Sequence, residues 1–317
     1  MQTMRAIRIH AFGGPEVLTP EDIPFPQAQD DEVVVRVLAA SVNPVDYKTR
    51  SGKYPAVKQE QLPVVLGRDL SGVVENCGSR AHTLKKGDPI YAMLGRDRGS
   101  YAEYVVVKAV EGTAPPKGLD HVQAAAVPLA GLTAWQGLFD HGGLQAGQRV
   151  LIHGGSGGVG HFAIQFAKAR GAAYVATTCA AEDLDFVRGL GADQAIDYKA
   201  QRFEEVVRDM DLVLDLIAGE TQQRSWAVLR EGGILVSTLS APPEEQARMH
   251  RARGTNFMAQ PNAAQLTEIA RLVEQGKVRP HVARVFPLAE AAEAHRFLEE
   301  QHTRGKTVLR VAEASEA

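Results

Sequence analysis

"LIHGGSGGVG", residues 151–160, decides how this chain is read. Five of its ten residues are glycine, and they follow the apolar run "RVLIH" (149–153). Glycine weakens strands and helices alike, so its concentration at the end of an apolar run calls for a physical reason. Gly155-Ser156-Gly157-Gly158-Val159-Gly160 fits G-x-G-x-x-G. A helical stretch follows at 158–171, and a further strand, "YVATT" (174–178), lies about 20 residues on, the context in which the pattern carries meaning. Glycine there permits a tight turn and lets backbone N–H groups approach a diphosphate, while the positive end of the next helix faces the same anion. Gly155, Ser156, Gly157, Gly158 and Val159 are therefore expected to hold a dinucleotide.

Outward from this turn the chain alternates. Strands are expected at 149–153, 174–178, 194–198, 212–217 and 233–239, and helices at 158–171, 182–191, 202–209 and 221–230. The strands are continuously apolar, as strands buried on both faces are, and the alternation implies a doubly wound parallel sheet. Upstream the character is β: "EVVVRVLAASV" (32–42), "SGVVENCG" (71–78) and "YAEYVVVKA" (101–109) are punctuated by proline and glycine, which suggests a small barrel or sandwich. Residues 121–140 read as helix interrupted at Pro128 and Gly131, and the tail returns to β with "HVARVFPL" and "GKTVLRVAE" around a helix at 289–300. The expected class is α/β, with a β domain over 1–122, a dinucleotide-binding domain over 123–265, and a segment over 266–317 that rejoins the first.

Composition narrows the function. The chain has 317 residues, 44% hydrophobic and 23% charged, with a formal net charge of −3, so no nucleic-acid partner is expected. No apolar run approaches the roughly 20 residues that cross a bilayer, and "MQTMRAIRIHAFGG" lacks the apolar core of a secretory signal. The expectation is a cytoplasmic protein with no membrane partner. Cys77 and Cys179 are the only cysteines, too few for a disulfide framework or a four-cysteine zinc site, and the ten histidines form no HExxH pattern.

The coenzyme is chosen at the end of the second strand, where an NAD site has an acid on the ribose 2′-hydroxyl. Thr177, Thr178 and Cys179 stand there instead, which favours NADPH over NADH, with Thr178, Cys179 and Tyr198 expected beside the adenosine phosphate. Glu182 and Asp183 oppose a phosphate and Arg188 compensates. Ile217 and Ala218, at a strand's carboxyl end, are expected under the coenzyme, and Ser237, Thr238 and Leu239 at its nicotinamide ribose.

"NPVDYKTRSG" (43–52), "PVVLGRDLSGVV" (63–74), "GLTAWQGLF" (131–139), "GGSGGVG", "VLDLIAGE" (213–220) and "GKTVLRV" (305–311), in this order, resemble the zinc-independent quinone oxidoreductases. These form the zeta-crystallin-like family of the medium-chain dehydrogenase/reductase superfamily. The resemblance implies a GroES-like barrel built from both ends of the chain, a Rossmann domain, a homodimer, and NADPH-dependent reduction of quinones or α,β-unsaturated carbonyls. It places Thr133, at a helix start, beside the nicotinamide, and adds Lys306 to the coenzyme residues. Relatives often carry a lysine where Asp183 stands, which weakens the NADPH preference. Zinc alcohol dehydrogenases have a cysteine where Asn43 stands and Gly-His-Glu where this chain has Gly67-Arg68-Asp69; amide and guanidinium are poor zinc ligands, so no zinc is expected.

Without a metal the protein positions the reactants and stabilises charge on the carbonyl oxygen. Asn43, Asp46, Tyr47 and Lys48 are expected in one loop after a barrel strand. Asn43 would donate its amide N–H to substrate or ribose, and Tyr47 or Lys48 would stabilise an enolate or protonate it. Tyr54 is expected at the substrate mouth. Competing readings are an enoyl-thioester reductase, a zinc alcohol dehydrogenase, and a non-catalytic NADPH-binding structural or regulatory protein.

Overall fold

The computed structural model describes residues 2–54, 57–81 and 84–313. It divides into two compact units: Met1–Leu129 with Pro261–Glu274 and Pro280–Ala317, and Ala130–Gln260 with Gln275–Arg279.

In the first unit β1 (Thr3–Ile9) pairs antiparallel with β2 (Thr19–Pro24). The valine-rich β3 (Glu32–Val42) is its longest strand. Val33, Val35 and Val37 of β3 are buried in the core with Leu70, Ile90, Tyr101 and Val107, as β-branched residues on a pleated inner face are. From β3 the chain enters α1 (Pro44–Arg50). Residues 43–48 are thus not the loop expected: Pro44 presets the first helical position, and Asp46 accepts the Asn43 N–H at 2.8 Å. Then come β4 (Val64–Val65), β5 (Asp69–Cys77), β6 (Pro89–Met93), β7 (Tyr104–Lys108) and β8 (Gly112–Thr113). β4 joins β1, and β5 pairs with β3 and β6.

Asp120 caps α2 (His121–Ala125), accepting the Gln123 N–H at 2.8 Å. α3 (Pro128–Trp135) runs into a π-helical turn at Gln136–His141. The break therefore lies before Pro128, which begins a helix, and Gly131 interrupts nothing. Because α2 packs on β3 and β5, the first unit extends to Leu129, past the expected limit of 122.

The second unit holds β9 (Arg149–His153), α4 (Gly160–Ala169), β10 (Tyr174–Cys179), α5 (Leu184–Gly189), β11 (Gln194–Asp197), α6 (Phe203–Val206), β12 (Met210–Asp215), α7 (Gly219–Ser225), β13 (Leu229–Ser237), α8 (Glu244–Met249) and β14 (Arg253–Asn256). The six strands are parallel in the order β11-β10-β9-β12-β13-β14. The order reverses beside β9, so the switch point lies where the glycine-rich turn leaves the sheet. α7 ends earlier than expected, and β13 begins at Leu229 rather than 233: the buried Trp226 and Val228 turn the chain back to the sheet, where Leu229 pairs with Met210.

The tail adds α9 (Ala263–Glu274), β15 (Val282–Pro287), α10 (Ala291–Glu300) and β16 (Lys306–Arg310). Tyr91 Oη donates to Leu266 O at 2.6 Å, which ties α9 to the first unit, so the return begins at 261 rather than 266. β16 pairs antiparallel with β3, Thr307 opposite Val42, which brings Lys306 to the root of α1.

Candidate functional site

In the second unit, Gly154 follows β9 with φ +77°, a conformation that favours glycine. Gly154 N–H and Gly155 N–H donate to Thr178 O at 3.1 and 3.0 Å, so the turn is sewn to the end of β10. His153, fully buried, bridges Thr178 Oγ1 at 3.0 Å and Ser225 Oγ at 2.9 Å. Burial pushes this imidazole down to about 4, so it is neutral at physiological pH.

The glycines divide by cause. A Cβ on Gly155 would lie 2.0 Å from Thr177 Oγ1, and one on Gly160 2.2 Å from Gly154 O, so the protein's own packing excludes side chains there. A Cβ on Gly157 would meet nothing nearer than Gly154 O at 3.4 Å. Packing does not demand glycine at 157, and the position leaves room for a ligand to approach the backbone. Ser156 is buried, and Gly158 and Val159 are half-buried at the same turn. A diphosphate fits this bare-backbone cradle ahead of α4.

At the ends of β12 and β13 a buried carboxylate organises two turns. Asp215 Oδ1 accepts the N–H of Ile217 at 3.0 Å and of Ala218 at 2.8 Å; Oδ2 accepts from Gln222 Nε2 at 3.0 Å and Ser237 Oγ at 2.9 Å. Ser237 Oγ in turn accepts the Leu239 N–H at 3.2 Å, and Thr238 N–H binds Asp215 O. Ala218 is held at φ +66°, rare for a residue with a Cβ. The apolar side chains so placed are open to solvent: Ile217 is 52% exposed and Leu239 46%, and Tyr198, just past β11, is 55% exposed. Ile217 and Leu239, past the neighbouring strands β12 and β13, offer apolar surface of the kind a flat ring packs on, while Tyr198 lies past β11 on the other side of β9.

Thr178 and Cys179, expected to touch the coenzyme, turn inward. The Thr178 hydroxyl serves His153 and the glycine turn, and Cys179 is 2% exposed. Burial, with Asp183 and Asp197 adding to it, pushes the Cys179 thiol up to about 11. Lys199 Nζ stands 5.7 Å from the Tyr198 ring centroid. Thr133 lies inside α3 rather than at a helix start, and it is buried.

In the first unit the candidate residues surround a buried polar cluster. Asn43 is 1% exposed, and its Nδ2 donates to Asp69 Oδ2 at 2.9 Å and Ser41 Oγ at 3.3 Å. Its Oδ1 accepts from Lys306 Nζ. The amide is thus fully engaged, and the free donor expected for a substrate is not there. Ser41 Oγ also donates to Asp69 Oδ2 at 2.5 Å, and Asp69 Oδ1 accepts the Leu129 N–H at 2.6 Å. Lys306, 3% exposed, acts here as a structural cation: burial lowers its pKa, while Asp69 and Asp46 hold it up. Burial raises Asp69, opposed by Lys306, and lifts Asp46 to about 7. On α1, Tyr47 and Lys48 are half-buried, as is Tyr54 beyond it. Burial, then Glu299, raises the Tyr47 phenol, which keeps its O–H as a donor. Sequence reasoning missed Ser41, whose hydroxyl binds Asp69, and gave Asp215 no role although it lies within "VLDLIAGE"; only the fold shows what each holds.

Zinc does not suit this donor set. Both oxygens of Asp69 already accept hydrogen bonds, Asn43 is saturated, and the cations Lys306 and Arg68 act on the carboxylates Asp46 and Asp69. Among the described residues no group of three or more His, Cys, Asp or Glu is arranged to hold a metal.

Residues 29–116 match the family described as "Alcohol dehydrogenase GroES-like domain", and residues 190–309 the one described as "Zinc-binding dehydrogenase". The NAD(P)H oxidoreductase RTN4IP1, mitochondrial, of Danio rerio is 37% identical over 328 residues, covering 89% of this chain and 84% of that protein. The chloroplastic NADPH-dependent alkenal/one oxidoreductase of Arabidopsis thaliana is 38% identical over 319 residues, covering 96% and 79%. The structure of the quinone oxidoreductase from Coxiella burnetii superimposes with a TM-score of 0.92 at 37% identity, covering 98% of this chain and all of that one.

Proposed function

This chain belongs to the zinc-independent quinone oxidoreductases of the medium-chain dehydrogenase/reductase superfamily, and from that premise we propose that it reduces quinones or α,β-unsaturated carbonyls with a nicotinamide coenzyme and no metal. The observation that carries the reading is Gly157, a glycine that the protein's packing leaves free and a diphosphate needs.

The turn from Gly155 to Val159 lies along the diphosphate, while the N–H groups of Gly155 and Gly157 stay on Thr178 O and Gly154 O. Ile217, Ala218 and Leu239, fixed by Asp215 and Ser237, support the coenzyme's ring face. The bound nicotinamide supplies hydride. On α1, Tyr47 and Lys48 are the assigned donors to the substrate oxygen, with Tyr54 lining the substrate's approach. Asn43 acts by ordering the cluster at the root of α1, with Lys306 locking its amide.

NADPH is the coenzyme proposed, because β10 ends in Thr177, Thr178 and Cys179, with no carboxylate among them to hold a ribose 2′-hydroxyl, and Tyr198 with Lys199 offers a cationic surface nearby. Asp183 and Asp197 add negative charge around Cys179, so selectivity over NADH is expected to be small. A cytoplasmic homodimer completes the proposal; among the described residues no helix is long and apolar enough to cross a membrane.

The test is oxidation of NADPH and of NADH, in parallel, with 9,10-phenanthrenequinone and with a simple enone, before and after chelator treatment. Turnover that survives the chelator is expected. Coenzyme binding with no turnover of any acceptor, or loss of turnover that zinc restores, would overturn the reading.

A further inference from the structure

The far end of α1 is tied to α10 by side chains with no place in the function so far. Arg50, 2% exposed, donates through Nη2 to both oxygens of Glu299 at 2.9 and 3.0 Å, and through Nε to Gly13 O at 3.2 Å. Its Nη1 lies 3.2 Å from His295 Nδ1. His295 Nε2 lies 3.2 Å from Tyr101 Oη, which lies 3.1 Å from Asp46 Oδ2. His295 and Tyr101 are fully buried. An unbroken chain of side chains thus runs from Glu299 to the carboxylate beneath Asn43.

Its polarity follows from valence. A guanidinium has donors only, so His295 Nδ1 must accept and carries no proton. Burial and the adjacent Arg50 push His295 down to about 3, so the ring is neutral and its one proton sits on Nε2. Nε2–H donates to Tyr101 Oη. Burial holds the phenol protonated, and its single hydrogen is left for Asp46 Oδ2, which also accepts the Asn43 N–H at 2.8 Å.

We propose that Arg50 is a positioning residue: by fixing the His295 tautomer it turns the Tyr101 hydroxyl hydrogen onto Asp46 and so holds that carboxylate in its accepting, ionised form. The other groups acting on Asp46 are Asp69 of β5, which raises its pKa, and Lys306 of β16 and Arg68, which lower it. Burial is the largest influence, and it leaves Asp46 poised at about 7, where one donor more or less decides its charge. Without Arg50, Nδ1 is free to carry the proton, the Tyr101 hydrogen turns to Nε2, and Asp46 loses a donor.

The experiment reads the tautomer and the carboxylate directly. Long-range 1H–15N correlation, with His295 assigned by a His295→Gln variant, is expected to show protonated Nε2 and bare Nδ1. The 13C carboxyl titration of Asp46 is expected to move up by about one pH unit in Tyr101→Phe, which removes one hydrogen bond to the charged form. Arg50→Met is expected to move it the same way and to mix the His295 tautomers; if that variant does not fold, Tyr101→Phe carries the test. A proton on Nδ1 in the unaltered protein, or an unchanged Asp46 titration in a Tyr101→Phe protein of native melting behaviour, would overturn the proposal. The acid limb of kcat/KM should move with the titration, and that link rests on the function proposed above. A shifted titration without any turnover would count against that function and leave the role of Arg50 standing.

Discussion

Asp215 accepts the backbone N–H of Ile217 at 3.0 Å, while the Ile217 side chain stays 52% exposed. A fully buried carboxylate thus fixes an open apolar group at a strand's carboxyl end, and through Ser237 it fixes Leu239 as well. In Asp215→Asn the new amide keeps one acceptor for Ile217 and Ala218, but its N–H₂ faces the Gln222 donor. Leaving buried donors poorly matched costs about 1–3 kcal/mol. We expect urea unfolding to record that loss, and KM for the coenzyme to rise more than kcat falls. An unchanged coenzyme KM would remove Ile217 and Leu239 from the coenzyme's face.

The glycine turn makes opposite predictions at neighbouring positions. Gly155→Ala and Gly160→Ala place a Cβ 2.0 Å from Thr177 Oγ1 and 2.2 Å from Gly154 O, and overpacking of this kind costs about 1–3 kcal/mol. Both variants should melt earlier. Gly157→Ala meets only an ordinary contact at 3.4 Å, so its melting temperature should match the unaltered protein. Its coenzyme affinity should fall by about tenfold or more, one methyl group displacing a diphosphate by a loss of about 1.4 kcal/mol. Calorimetry with NADPH alongside thermal melts separates the two effects.

The doubly wound sheet was legible because its strands are buried on both faces and read as apolar runs, with one glycine turn placed by its neighbours. β14 was not: Arg253–Asn256 is a short exposed edge with no apolar alternation. The loop expected at 43–48 became a helix because its start is marked by Pro44 and Asp46, cap signals that a β context obscured. Asn43, Tyr47 and Lys48 were singled out from local pattern. Their supports, Tyr101, His295 and Lys306, come from separations of 55 to 263 residues along the chain, and no local period carries such information.

Lys306 holds its place by charge. Lys306→Met removes the ammonium from Asn43 and leaves Asp46 and Asp69 with fewer compensating charges in a buried site. Losing a buried hydrogen bond donated by a charged group costs about 1.5–3 kcal/mol. The loss should be largest at pH 7.5 and smaller at pH 5.5, because Asp46, poised at about 7, takes up a proton and discards its charge. Urea unfolding at the two pH values checks this; an equal loss at both would show that Lys306 acts by packing alone.

Three buried groups with large shifts act on the acid stability, and they do not share a sign. His153 and His295 fold as neutral rings, held at about 4 and about 3 against 6.5 for the free side chain. A group depressed on folding stabilises fully above its unfolded value and loses that contribution as pH falls towards its folded value. Each histidine therefore weakens the fold progressively below pH 6.5. Asp46 is raised from 3.8 to about 7, so its contribution is complete below 3.8 and is lost as pH rises through 7. Near pH 5 these groups leave the unfolded chain binding two protons more on the histidines and one fewer on Asp46, a net uptake of about one proton, or ~1.4 kcal/mol of stability lost per pH unit of acidification. Removing Asp46 in Asp46→Asn deletes the opposing proton, so the slope near pH 5 should steepen by about one proton. Urea unfolding between pH 4.5 and 6.5 measures both slopes. A shallower slope in Asp46→Asn would show that this carboxyl ionises below pH 5 in the native protein.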